Sequence, residues 1–187
     1  MSVVINIFYI YLFIIVLVAV SIDLVGLFIS KYSRFRTWPP TKGSKIWYLE
    51  LGLTWTWTSG FFLICLLSIN SFIFNSYHFL LVGEILFIIG LYFDVQGIRH
   101  LDSGYVKEGE LITTGIYSVT RNPQYVGSLL MGLGAVLFLN SFYGLLLSIP
   151  AAAWFIMAPF VEEPLLRSKY CVKYIAYCYR VPRFLWK

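Results

Sequence analysis

Three side chains with binding chemistry recur at four-residue spacing in the stretch TTGIYSVTRNPQYVG, residues 113–127: Tyr117, Arg121 and Tyr125. A guanidinium can grip a carboxylate through parallel hydrogen bonds, and a tyrosine ring face attracts a cation. Asn122 is a good helix N-cap and Pro123 a good first helical residue, so a helix starts here with Arg121 beside its positive end. Gly115, with Thr113 and Thr114, makes a turn through which backbone amides can approach a ligand. A second polar group, Glu162 and Glu163, follows about 35 residues later and suits the positive start of another helix. Pro159 is expected to end or kink the preceding helix and Pro164 to open the new one. In that new helix Leu166, Tyr170, Tyr174 and Tyr177 fall at helical spacing among Lys169, Lys173 and Arg180, an interfacial amphipathic pattern with aromatic anchors. A capped helix with an arginine at the lipid headgroups accounts for Asn122 and Pro123. It does not account for the tyrosine–arginine–tyrosine spacing.

The elements that carry these residues are apolar. Of 187 residues, 59% are hydrophobic and 12% charged, about half the charge of a soluble domain. Mean hydropathy is +0.79. Five spans can be drawn, roughly 3–29, 51–69, 77–98, 124–139 and 142–160, several of them near the 20 residues needed to cross a bilayer. The first run has no basic leader and is too long for a signal core, so it reads as a retained span. The fourth and fifth are short and joined by a tight turn at Asn140-Ser141, as in a helical hairpin. The expected fold class is therefore all-α, an integral membrane domain of five helices followed by a C-terminal amphipathic helix. No linker divides the chain: residues 1–187 read as one domain, with three spans over 1–98 and the polar half over 99–187.

Charge orders the spans. Lys31, Arg34, Arg36, Lys42 and Lys45 follow the first span; Arg99, Lys107 and Arg121 lie between the third and fourth; Arg167, Lys169, Lys173, Arg180, Arg183 and Lys187 follow the fifth. That accounts for all fourteen basic residues. Five crossings put all three segments on one side, which the positive-inside rule assigns to the cytoplasm, with the N-terminus outside and the C-terminus cytoplasmic. The +5 net charge is then a membrane-facing asymmetry, with anionic lipid rather than nucleic acid as its partner. No organelle signal is evident, and the expected membrane is a prokaryotic plasma membrane.

GELITTGIYSVTRNPQYVG, followed by EEPLL and then KYIAYCYRVPRF, resembles the isoprenylcysteine carboxyl methyltransferase family, part of a wider set of membrane methyltransferases that includes the phospholipid methyltransferases. The resemblance covers about residues 95–187. It implies an S-adenosylmethionine site on the cytoplasmic side and a lipophilic or small hydrophobic methyl acceptor. By position, Gly109, Glu110, Leu111 and Ile112 line the methyl donor, Tyr117 touches it from the turn, and Asn122, Pro123, Gln124 and Tyr125 hold it at the helix start. Glu162, with Glu163 beside it, is the acidic contact, and Arg121 orients the carboxylates. Asn122 stands where the family often has histidine, so no titrating base sits there. Ala158 stands where prenylcysteine enzymes carry a substrate-side arginine.

Ionisable residues within apolar spans are functional candidates. Asp94, near Gln96, Arg99 and His100, either lines the active site or pairs with a nearby cation. Asp23 is expected to pair with a base of the following linker. Glu84 has no assigned role, His78 is interfacial, and His100 is a candidate base. Trp55 and Trp57 read as an aromatic belt or as a wall of the acceptor cavity. Cys65, Cys171 and Cys178 lack metal-ligand spacing, and no zinc cluster, P-loop or serine triad is present, so no metal is expected. Two rivals remain. YCYRVPRFLW also resembles the tail of sterol reductases, which use a nicotinamide cofactor. A non-catalytic membrane scaffold is the other.

Overall fold

The structure, a computed structural model, describes the backbone of residues 2–71, 77–102 and 110–185, with side chains from residues 7–71, 77–101 and 110–185. Gly109, Lys107 and Lys187 lie outside the described residues. The described chain is helical: α1 is Ser2–Tyr32, α2 Lys45–Leu67, α3 Tyr77–Asp102, α4 Pro123–Leu139, α5 Phe142–Tyr170 and α6 Val172–Arg180, with a 3₁₀ turn at Gly115–Ser118 before α4. Four of them, α1, α2, α3 and α5, are long and apolar enough to cross a membrane, so the chain is an integral membrane protein; α4 is a shorter apolar helix.

Two boundaries differ from the sequence expectation for local reasons. α2 starts at Lys45, six residues early, because the Ser44 hydroxyl accepts the Trp47 N–H at 3.1 Å and caps it. α5 does not stop at Pro159, and Pro164 opens no new helix: α5 runs through Pro150, Pro159 and Pro164 to Tyr170. Apolar helices tolerate proline where packed neighbours cover the disturbed backbone, and Pro159 is buried. The break falls at Cys171, whose φ of +48° turns the chain into α6. The amphipathic helix is therefore nine residues long.

Inside lipid the hydrophobic effect does not drive helices together; close van der Waals packing does. α3 carries Gly83, Gly90 and Gly97, two turns apart, and α4 carries Gly127 and Gly134 at the same interval. A Cβ on Gly90 would lie 2.6 Å from the Gly127 carbonyl oxygen, and one on Gly134 2.6 Å from the Phe87 nitrogen. Backbone thus meets backbone along the α3–α4 crossing. Gly132 plays no such part, its added Cβ finding only Phe61 Cζ at 3.9 Å.

α1, α2 and α5 pack the core around Trp57, Ile64, Leu147 and Trp154. Trp57 is not in an aromatic belt: it is buried, with its indole N–H on Asp23 Oδ2 at 2.6 Å and its ring against Trp154. Trp55, about 200° away on the helix, is exposed. Asp23 does not pair with a linker base. It bonds Trp57, Thr54 and the carboxyl of Glu50, because it lies nine residues, about 13 Å, before the end of α1. Glu84 is exposed on the outer face of α3.

At one end of the bundle the Asn70 N–H reaches the Leu139 carbonyl and Ser68 meets Ser141, which closes the α2 end over the α4–α5 connection. At the other end the α1–α2 linker, the segment before α4 and the tail after α6 meet. These are the three basic segments.

Candidate functional site

At that basic end a cavity of about 380 Å³ opens. Its floor is the start of α4: Asn122, Pro123, Gln124 and Tyr125. Glu110, Leu111 and Ile112 line one side, with Tyr117 from the 3₁₀ turn. Leu166 and Tyr170 from α5, and Tyr174 and Tyr177 from α6, close the other. Arg121, Glu162 and Trp38 complete the wall. Residues distant in sequence thus converge because α5 runs unbroken past the mouth of α4 and the turn at Cys171 folds α6 back over it.

Adjacent carboxylates take opposite duties, as a 100° step along a helix requires. Glu162 turns to the cavity. Its Oε1 accepts the Trp38 indole N–H at 2.8 Å and the Tyr125 hydroxyl. Glu163 turns away and is not among the lining residues. It is buried beneath two guanidiniums: Arg121 Nη2 at 3.1 Å, and Arg183 in a two-pronged bridge at 2.8 and 2.7 Å. Arg121 also touches Cys178 through Nη1, and its buried Nε has no hydrogen-bond partner among the described residues. The cavity therefore has Arg121 on one wall, backed by a cluster of two guanidiniums over one carboxylate with a surplus positive charge, and a carboxylate, Glu162, on another wall.

The tyrosines are walls rather than headgroup anchors. Tyr174 and Tyr177 are buried, and the Tyr177 hydroxyl donates to the Tyr117 carbonyl at 2.6 Å. Burial pushes the Tyr117 phenol above its usual range, and the Glu162 charge adds to it. Burial does the same for Tyr174 and Tyr177. These phenols stay neutral and can donate hydrogen bonds.

Asn122 is not a side-chain cap. Its Nδ2 donates to the Arg183 carbonyl at 2.9 Å, and Thr120 Oγ1 donates to the same oxygen at 3.0 Å. The Arg121 N–H donates to the Pro182 carbonyl at 3.0 Å. The tail carbonyl thus accepts from the Asn122 amide, and the tail is thereby stitched to the segment before α4. Asp94 is not among the lining residues; it stands where α3 crosses Gly127, whose added Cβ would meet the Asp94 nitrogen at 2.7 Å. Gly115, at φ +60°, is approached by the His100 ring instead of a ligand, and His100 Nδ1 lies 2.8 Å from the Gln96 carbonyl oxygen. Two site residues escaped the sequence reading. Arg183 looked like one of many tail cations. Trp38 had only its place before Pro39-Pro40 in a basic linker to mark it.

The model of one family, phospholipid methyltransferase, matches residues 78–173, which takes in α3, the segment before α4, α4 and α5. The chain belongs to the phospholipid methyltransferase family. A relative in Dictyostelium discoideum, phosphatidylethanolamine N-methyltransferase B, is 31% identical over 100 residues, covering 48% of this chain and 50% of the relative. The chain thus spans about half the length of the curated relative it matches. That relative is eukaryotic, so the expectation of a prokaryotic membrane gains no support from it. No solved structure matches. Within this family member, Trp38, Tyr174, Tyr177 and Arg183 all lie outside the matched segment, although they build the same cavity and its support.

Proposed function

We propose that this chain is a membrane methyltransferase that moves a methyl group from S-adenosylmethionine to a phospholipid headgroup amine at the cytoplasmic face. The observation that carries the reading is the split charge of the polar cavity. The donor's amino-acid end is a zwitterion. Arg121, which lines the cavity, suits its carboxylate, and Glu162, whose Oε2 has no hydrogen bond among the described residues, suits its ammonium. Tyr117, Tyr125, Tyr170, Tyr174 and Tyr177 surround the remaining space and suit adenine and a cationic sulfur. Glu110, Leu111, Ile112, Asn122, Pro123 and Gln124 complete the lining, and Gly109 precedes it in the chain. Glu163 acts through Arg121, holding its guanidinium in place.

When bound, such a donor supplies an electrophilic methyl on a sulfonium. Transfer would break the S–CH3 bond and form an N–CH3 bond, passing the positive charge from sulfur to the nitrogen of an amine that has first released its ammonium proton to water, so the chain's task is positioning and then water exclusion in a pocket of neutral phenols. A neighbouring apolar cavity of about 310 Å³ lies between α2, α4 and α5, with Trp57, Phe61 and Phe155 in its walls. Phe155 also packs on Tyr125, so the two cavities share a wall. The apolar one suits the acceptor's tail. In this reading α4 is a fifth crossing and the basic end faces the cytoplasm. The match to a methyltransferase family favours neither the reductase nor the scaffold.

The test is calorimetry of S-adenosylhomocysteine on detergent-purified protein, with a nicotinamide cofactor as control and Arg121→Ala alongside. Binding that the substitution weakens tenfold or more supports the reading. Folded protein that binds the nicotinamide cofactor, or binds nothing, refutes it.

A further inference from the structure

Trp38 belongs to the α1–α2 linker, outside the segment matched to the family, yet it touches the carboxylate at the centre of the cavity. The linker is not a slack loop at this point. The N–H groups of Thr37 and Trp38 both donate to Ser30 Oγ, at 2.8 and 2.9 Å, and the Ser30 hydroxyl reaches back to the Gly26 carbonyl at 2.8 Å. The Thr37 hydroxyl bonds Glu50, which bonds Asp23. Gly26 keeps this corner open, since a Cβ there would lie 2.8 Å from Thr37 Oγ1 and 3.5 Å from Glu50 Oε1. The indole is then fixed edge-on against Trp154, with ring centroids 4.9 Å apart.

Both donors to Glu162, the Trp38 indole N–H and the Tyr125 hydroxyl, use Oε1. Oε2 has no hydrogen bond among the described residues. An indole N–H can only donate, so it can hold a carboxylate oxygen but not compete for a ligand's N–H groups. A glutamate side chain left to itself samples several rotamers; one pinned through Oε1 offers Oε2 in a single direction.

We infer that Trp38 is a positioning residue that sets specificity for the amino-acid end of the methyl donor, by presenting Glu162 Oε2 to its ammonium group. The inference rests on the donor reading given above. The strap of Ser30 and Thr37 is the part of the N-terminal helices that makes this possible.

The experiment compares two ligands: S-adenosylhomocysteine, and 5′-methylthioadenosine, which keeps the nucleoside and thioether but lacks the amino acid. Trp38→Phe keeps an aromatic ring against Trp154 and removes the N–H together with part of the ring system. It should weaken S-adenosylhomocysteine about tenfold, the usual worth of a hydrogen bond to a charged group, and leave methylthioadenosine within about twofold. Ser30→Ala, which loosens the strap without touching the cavity, should give the same selective loss. Equal weakening of both ligands by Trp38→Phe would make Trp38 a packing residue only, and no weakening of either would remove it from the site; both overturn the inference while leaving the donor reading intact. Wild-type protein that binds neither ligand overturns the donor reading, and this inference with it.

Discussion

Replacing Gly90 by alanine adds one methyl group where α3 and α4 meet backbone to backbone. The new Cβ would lie 2.6 Å from both the Gly127 carbonyl oxygen and the Met131 nitrogen. Neither atom can rotate away, so the helices must part by about 1 Å to restore van der Waals contact, and overpacking of this kind costs about 1–3 kcal/mol. Alanine returns about 0.5–1 kcal/mol through its better helix preference. The net loss is about 0–2.5 kcal/mol. Gly132→Ala is the matched control on α4. Its Cβ meets nothing nearer than 3.9 Å, so it keeps the helix gain alone. The pair should differ by about 2 kcal/mol, an apparent melting difference of about 4–8 °C. Thermal unfolding in one detergent, with both variants in parallel, reads this directly. Parting the helices at Gly127 and Met131 also tilts the first turn of α4, which carries Pro123, Gln124 and Tyr125. S-adenosylhomocysteine affinity should therefore fall in Gly90→Ala and hold in Gly132→Ala. A Gly90→Ala protein that melts at or above the Gly132→Ala protein would refute the claim that these glycines set the helix spacing.

Three further outcomes are expected. Glu163→Gln leaves the Arg121 and Arg183 guanidiniums facing each other at a buried site and should cost about 2–4 kcal/mol in unfolding, discounted from the fully buried case because Arg183 is 28% exposed. Glu162→Gln should change stability by less than about 1 kcal/mol while weakening S-adenosylhomocysteine tenfold or more, so the neighbours separate by readout. Ala152→Phe, which fills the apolar cavity between α2, α4 and α5, should lower methyl transfer to a long-chain phospholipid with S-adenosylhomocysteine affinity unchanged; equal activity would place the acceptor's tail elsewhere.

Much of the site was readable in one dimension because its residues cluster in two short stretches. Tyr117, Arg121, Asn122, Pro123, Gln124 and Tyr125 sit within nine residues, and the turn before α4 forces them to one end of the bundle. The prolines of α5 misled because proline is judged against water. In its packed apolar setting the buried Pro159 loses one backbone bond and no solvent competes for the rest. Asn122 stands at the N-cap as expected, but a cap is inferred from its own helix, whereas its side-chain amide went to a carbonyl 61 residues away. Of the two readings of Trp57 only the aromatic belt fails, for a similar reason: its indole N–H found Asp23, 34 residues back, while its ring lines the apolar cavity.

By itself the sequence determined which segments are helical and apolar, which end of the bundle is basic, and where α4 begins. Each of these follows from local preference, periodicity or a charge count. Only the tertiary structure decided that Glu162 faces the cavity and Glu163 the arginines, that Arg183 completes a buried charge cluster, and that Trp38 reaches across 124 residues to the same carboxylate. The physical reason is that a side chain's direction follows from its helix, but its partner depends on which helix packs opposite, and that choice is made by the close backbone contacts of the whole bundle.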